Sequence, residues 1–203
     1  MLDIDYLNDI LISIYTNKLV GFSILIFILI LIKRYFDCVK CNSKIGLTGK
    51  VAIVTGANTG IGFETALDFA QRDARVIIAC RNLDKANAAA EKIKKLSKNN
   101  KVQVEKLDLS DLSSVRKLAE KMNSTLNKLD LLINNAGIMA TPYTKTIDGF
   151  EMQFGTNHLG PFLLTNLLLP LLKKAEGSRI INVSSIAHEC TIQIFPYNLC
   201  FLI

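Results

Sequence analysis

A chain of 203 residues, half of them hydrophobic, with a mean hydropathy of +0.30 and a formal charge of +6, can bury one sizeable core and leaves no comfortable room for a second domain. Its basic residues are spread along the chain and not gathered on one face, which excludes a nucleic-acid-binding stripe and fits a solvated surface biased toward anionic partners. Five cysteines, an odd number without framework spacing, exclude a disulfide scaffold and indicate a reducing compartment, and His158 and His188 without clustered ligands exclude a metal site.

Residues 19–32 are uncharged and nearly all large aliphatics or Phe, and residues 10–16 extend the apolar run on the far side of Asn17 and Lys18. A spanning helix needs roughly twenty apolar residues, so the stretch is short by itself and suffices when Lys18 snorkels or the helix tilts. Asp3, Asp5 and Asp9 precede it in place of a basic start and no small-residue cleavage site follows, so residues 1–36 are expected to be an uncleaved membrane anchor and not a signal peptide. Lys33, Arg34, Lys40, Lys44 and Lys50 follow the span, against Lys18 before it, and this bias places the domain on the cytosolic side of an endoplasmic reticulum or mitochondrial membrane. Cys38 and Cys41, in a basic linker over residues 37–48, read as palmitoylated or idle thiols. Asn123-Ser124-Thr125 is a glycosylation sequon, and a glycosidase-sensitive sugar on it would place the domain in the lumen instead.

From Val51 the chain alternates strand and helix. Val51-Ala52-Ile53-Val54-Thr55 reads as a buried strand, and the following Gly56, Asn58, Thr59, Gly60, Ile61 and Gly62 as a phosphate-binding turn and helix start. Gly56 allows the backbone to turn, Gly60 removes a Cβ that would hold a pyrophosphate away, and Gly62 lets the new helix pack closely. The helix N-terminus offers unpaired N–H groups and a positive dipole end. Further strands are expected at residues 75–80, at Val102, Val104, Leu107 and Leu109, at 129–133 and at 179–184. Between them come a helix over 83–96 capped by Asn82, an apolar stripe at Val115, Leu118, Ala119, Met122 and Leu126, and a long helical region from about 148 to 174 interrupted by Gly155, Gly160, Pro161 and Pro170. This order implies an α/β fold, a Rossmann-type doubly wound parallel sheet of about five strands.

An NAD-preferring chain carries a carboxylate at the end of its second strand; here Ala79-Cys80-Arg81-Asn82 has no acid and one arginine. A guanidinium suits a 2′-phosphate, so Arg81 favours NADP(H). Asp108, after the third strand, either accepts a hydrogen bond from adenine or opens a turn toward a cap at Ser110 or Asp111. Asn134, Asn135, Ala136 and Gly137 follow the fourth strand, where small residues admit a cofactor and amides tie down loop backbone.

Thr55-Gly56-Ala57-Asn58-Thr59-Gly60-Ile61-Gly62, Asn134-Asn135-Ala136-Gly137, Asn157-His158-Leu159-Gly160 and Ile181-Asn182-Val183-Ser184-Ser185 resemble, in order and spacing, the short-chain dehydrogenase/reductases. Cys80-Arg81, Phe162 and Ser185-Ile186-Ala187-His188 make the retinol dehydrogenase branch the closest likeness, and its N-terminal anchor also matches. The resemblance covers residues 48–188 and implies a nucleotide-binding domain over 49–188, with Ser185 polarising the substrate oxygen and Asn157 in a proton relay. It also implies a catalytic tyrosine with a lysine four residues later. Tyr197 is followed at that distance by Phe201, and no lysine follows Lys174. The apolar tail 189–203 is therefore read as unlike the family, the chain as ending short of the Tyr-x-x-x-Lys helix, and homodimerisation as weak for want of the family's dimer helices.

The resemblance implies an NADP-dependent oxidoreductase moving hydride between NADP(H) and an apolar small molecule, a retinoid-like alcohol or aldehyde. This chain is expected to be weakly active or inactive without the Tyr–Lys pair. A non-catalytic isoform or membrane adaptor that at most binds NADP is the other reading.

Overall fold

In the computed structural model the described residues are 4–36, 43 and 45–185, and the chain divides into two compact units, Met1–Ser43 and Lys44–Ile203. The linker thiols Cys38 and Cys41, the tail 189–203 and Tyr197 lie outside the described residues.

The first unit is one 33-residue helix, α1 (Ile4–Phe36). Every side chain from Asn17 to Tyr35 is exposed. Among the described residues no helix is long and apolar enough to cross a membrane, which corrects the expected transmembrane helix. Residues 19–32 run fourteen positions between Lys18 and the Lys33-Arg34 pair, about 21 Å of helix against a hydrocarbon core of about 30 Å.

The second unit is the expected doubly wound sheet. Its five parallel strands are β1 (Val51–Thr55), β2 (Arg75–Cys80), β3 (Val102–Lys106), β4 (Leu131–Asn134) and β5 (Arg179–Asn182), in the spatial order β3-β2-β1-β4-β5. The helices are α2 (Gly60–Gln71), α3 (Leu83–Ser97), α4 (Leu112–Thr125), a short α5 (Met152–Phe154) and α6 (Gly160–Lys173), the last two joined by a π-helical turn, Gly155–Leu159. Strand residues alternate between two cores. Ile53, Ile77 and Leu132 pack under α4 and α6, while Val54, Val76, Ile78 and Ile133 pack under α2 and α3. Burial on both faces explains why the strands read as continuous apolar runs and not as alternation.

Local chemistry sets the boundaries. Asn82 accepts a hydrogen bond from Lys85 N (2.9 Å) and starts α3, and Asp111 accepts from Ser113 N and Ser114 N and starts α4. Residues 129 and 130 precede β4 because Asp130, almost wholly buried, accepts from Val51 N (2.9 Å), Lys50 Nζ (2.9 Å) and Lys128 Nζ (3.3 Å), pinning the entry of β4 to that of β1. The helical region begins at Met152 and not near 148, since Lys145 and Glu151 form an antiparallel bridge around a tight turn at residues 146–150. β5 ends at Asn182, in register with Asn134 at the end of β4, and is exposed along its whole length.

Candidate active site

The turn between β1 and α2 sits at the carboxyl edge of the sheet, beside the point where the strand order reverses between β1 and β4. Gly56 has φ +67°, and a Cβ there would lie 2.8 Å from Ala136 Cα, so this glycine is required by the turn and by the approach of the loop after β4. Gly60, at φ +58°, has open space where its Cβ would point. Gly62 does not pack on the strand, as its position suggested, but on the turn itself: a Cβ would strike Asn135 Nδ2 and lie 2.8 Å from Gly56 O. Thr59 precedes α2 with no side-chain cap, and the first turn of the helix holds no acid, so its N–H groups face the turn without a competing anion.

Thr55 was given no role by the sequence. It is wholly buried; its Oγ1 accepts from Asn135 N and Ala136 N, both 3.0 Å, and donates to Ile133 O. Asn135 in turn donates from Nδ2 to Thr55 O (2.9 Å) and more weakly to Gly56 O (3.4 Å). The prior signals for Thr55 were a hydroxyl at the end of an apolar strand and its place at the head of the Thr55–Gly62 motif.

Gly56, Asn58, Thr59, Ile61, Arg81 and Asp108 line one cleft of about 370 Å³ together with Asn135, Ala136 and Gly137. Arg81 is exposed directly after β2, and Lys106 brings a second cation to its carbonyl oxygen. Asp108 Oδ1 accepts from Ser110 N (3.0 Å) and Ser110 Oγ (2.6 Å), so one carboxylate oxygen belongs to the turn before α4 while the residue still lines the cleft. Burial pushes the Cys80 thiol up, and it sits 3.7 Å from Asn58 Oδ1 as a packed, unreactive group.

A second cleft of about 790 Å³ shares Asn135, Ala136 and Gly137 with the first and continues between α6 and β5, past Asn157, His158, Phe162 and Ser185. Asn157 lies in the π turn, where Gly160 N reaches back five residues to Gly155 O. Both ends of its amide are committed to one residue: Oδ1 accepts from Ile138 N (2.9 Å) and Nδ2 donates to Ile138 O (2.8 Å). The Asn157 side chain is thus a clamp on the loop after β4. His158 stacks between Phe154 (5.2 Å between centroids) and Phe162 (6.3 Å). Ser185 is exposed in the segment after β5 and lines the cleft. At the floor, Asn134 Nδ2 donates to Thr165 Oγ1 (3.0 Å) and Asn182 Oδ1 (2.8 Å), whereas buried Asn134 Oδ1 has no partner among the described residues. No group of three His, Cys, Asp or Glu that could hold a metal occurs among the described residues.

A glycine turn with open space at Gly60, an uncapped helix start and a flanking arginine, set at the switch point of a parallel sheet, define a dinucleotide-binding fold. The residues fit a nicotinamide dinucleotide. Comparison with known proteins makes the class specific. The family model "short chain dehydrogenase" matches residues 50–197. Mouse retinol dehydrogenase 11 is 54% identical over 158 residues, 78% of this chain and 50% of that protein, and human retinol dehydrogenase 13 is 52% identical over 159 residues, 78% of this chain and 48% of that protein. A short chain dehydrogenase of Shigella flexneri complexed with NADP superposes with a TM-score of 0.63 at 27% identity, covering 72% of this chain and 63% of that one. This chain belongs to the short chain dehydrogenase family. It spans about half the length of the curated relatives it matches.

Proposed function

We propose that this chain is the NADP-binding part of a short chain dehydrogenase that moves hydride between NADP(H) and an apolar alcohol or carbonyl such as a retinoid, and that this chain binds cofactor better than it turns substrate over. The observation that carries the reading is the meeting of two clefts at Asn135, Ala136 and Gly137: one holds the glycine turn and Arg81, the other Ser185 and an aromatic wall. Bound nicotinamide would supply the hydride acceptor or donor where the clefts join.

Arg81 pairs with a 2′-phosphate through two charge-assisted N–H bonds, a fork that a lysine does not offer. Gly60 leaves room for the pyrophosphate over the start of α2. Asp108, with Oδ1 held by Ser110, has a second oxygen for an adenine amino group. Ser185 donates to the substrate oxygen, and Asn157 fixes the Ile138 loop that borders both clefts. The Tyr–Lys pair that the proton step needs is not found in this sequence, since Phe201 stands four residues after Tyr197 and no lysine follows Lys174. The retinoid class is supported by the names of the relatives, and the apolar wall at Phe162 and Met139 suits such a molecule.

Membrane attachment belongs to the same reading. The uncharged run 19–32 lies between Lys18 and Lys33-Arg34, cations whose aliphatic stems let a helix of that length lie within a bilayer interface. The domain then faces the cytosol, on the side of the basic cluster. The test is NADPH-dependent retinal reduction by the purified chain. A rate more than tenfold below that of mouse retinol dehydrogenase 11, with NADPH binding retained, is expected; a rate within tenfold would overturn the claim of weak turnover.

A further inference from the structure

Lys50, Arg72, Lys94, Lys101, Lys121 and Lys128 each lie within 3.3 Å of a carboxylate oxygen. Arg81 and Lys106 have no such partner among the described residues, and yet they stand together. Cys80 and Lys106 are register partners at the ends of β2 and β3, Leu107 N donates to Cys80 O (3.0 Å), and Lys106 Nζ donates to Arg81 O. The acids nearby are turned elsewhere. Glu105 pairs with Lys121 (2.7 Å), Asp108 Oδ1 accepts from Ser110, and Asp84, in the first turn of α3, forms no ion pair with either cation among the described residues. Two positive charges are thus placed side by side at the mouth of the cleft that holds the glycine turn.

Water satisfies an exposed strand-end carbonyl, so the Arg81 carbonyl does not by itself require a lysine. Holding an ammonium there raises the positive potential at the cleft mouth and brings like charges together, an arrangement that an anion between them relieves. The count of charges and donors identifies the anion. A phosphate monoester carries about −1.5 to −2 charges near pH 7 and offers three acceptor oxygens. A guanidinium fork takes two of those oxygens and balances one charge, which leaves one oxygen and up to about one charge over. Lys106 uses one of its three N–H donors on Arg81 O and keeps two for that remaining oxygen.

We propose that Lys106 is a specificity residue, its ammonium contacting the 2′-phosphate of NADP(H) directly beside the Arg81 guanidinium. The inference rests on the assignment of Arg81 to that phosphate and adds to it a residue one strand away, on β3. NADP is then selected over NAD by two cations from two strands.

Binding is measured by calorimetry on the purified full chain with NADPH, with NADH and with adenosine 2′,5′-bisphosphate, which carries the 2′-phosphate without nicotinamide. Lys106→Gln removes the charge and keeps a donor for Arg81 O. It should weaken NADPH and the bisphosphate by about tenfold while NADH binding and the melting temperature of the free protein stay unchanged, and the loss should persist on an Arg81→Ala background. Lys95→Gln, twelve residues along α3 from Leu83 and about 18 Å away, removes the same charge at a distance and should change none of these affinities. An unchanged NADPH-to-NADH ratio in Lys106→Gln overturns the inference and leaves the Arg81 reading standing, whereas an unchanged ratio in Arg81→Ala overturns both. A Lys106→Gln loss that vanishes on the Arg81→Ala background makes the lysine a support for the Arg81 backbone and overturns direct contact. An equal loss in Lys95→Gln assigns the effect to the general field of the chain and overturns it too.

Discussion

Among individual residues, Thr55 and Arg81 separate what holds the site from what the site selects. Thr55 Oγ1 is the acceptor for two consecutive N–H groups, Asn135 and Ala136, in a wholly buried position. Thr55→Val keeps the shape and removes the acceptor, and should lower unfolding stability by about 1–3 kcal/mol in denaturant titration, because buried donors without partners bear the desolvation cost. Arg81 is exposed and fixes nothing in the fold. Arg81→Ala should leave the melting temperature of the free protein unchanged and weaken NADPH by about ten- to a hundredfold, with NADH barely affected. Equal losses for the two cofactors would refute the 2′-phosphate assignment. Of these two residues only Arg81 was legible beforehand, since a cation where an acid is customary is a chemical signal, whereas a buried threonine at a strand end differs from its β-branched neighbours by one oxygen. Asp108 shows the intermediate case: the expected turn toward Ser110 is present, and the same residue lines the cleft.

Among the elements, the alternation of strands and helices was readable because each strand is buried on both faces and each helix carries one apolar stripe. Arg75–Cys80 has the bounds expected of it, and Leu83–Ser97 begins at the cap foreseen at Asn82. Boundaries set by distant partners were not readable. Leu129 and Asp130 look like strand, but Asp130 serves as an anchor between β1 and β4, a role that depends on Lys50 some eighty residues earlier. Burial alone would raise the Asp130 carboxyl, but the Lys50 ammonium, the Val51 N–H and Lys128 outweigh it and hold the group below its ordinary value of 3.8. A carboxyl depressed in the folded state contributes stability above its unfolded pKa and loses it as pH falls through the folded value. The stability difference between wild type and Asp130→Asn should therefore be present above about pH 4 and shrink below it; a difference independent of pH between 2 and 6 would contradict the assignment. Since both lysines keep access to water, Asp130→Ala should cost roughly 2 kcal/mol, at the low end for a buried charge cluster.

On the scale of the whole molecule, the sheet places two clefts side by side at its carboxyl edge, joined at the loop that Asn135 and Asn157 tie down. The glycine turn and Arg81 belong to one cleft, Ser185 to the other, and β5 beside it is open to solvent. Four ordered motifs made this arrangement foreseeable from the residues: three fall at the ends of β1, β4 and β5 on the same edge of the sheet, and the fourth, Asn157-His158-Leu159-Gly160, lies in the π turn before α6. The exposed hairpin after β4 was not foreseeable, because nothing in its sequence separates an outward Ile147 from one buried in a core. The segment expected to be a membrane anchor is a single helix, and among the described residues no helix is long and apolar enough to cross a membrane. The most direct measurement is the melting temperature of the purified chain with saturating NADPH and, separately, NADH. At a hundred times the dissociation constant a bound cofactor adds about 2.7 kcal/mol, a shift of several degrees for a domain of this size. A clear upward shift with NADPH and a smaller one with NADH at equal concentration is predicted, and no shift with either would contradict a nucleotide site at Gly56, Gly60 and Arg81.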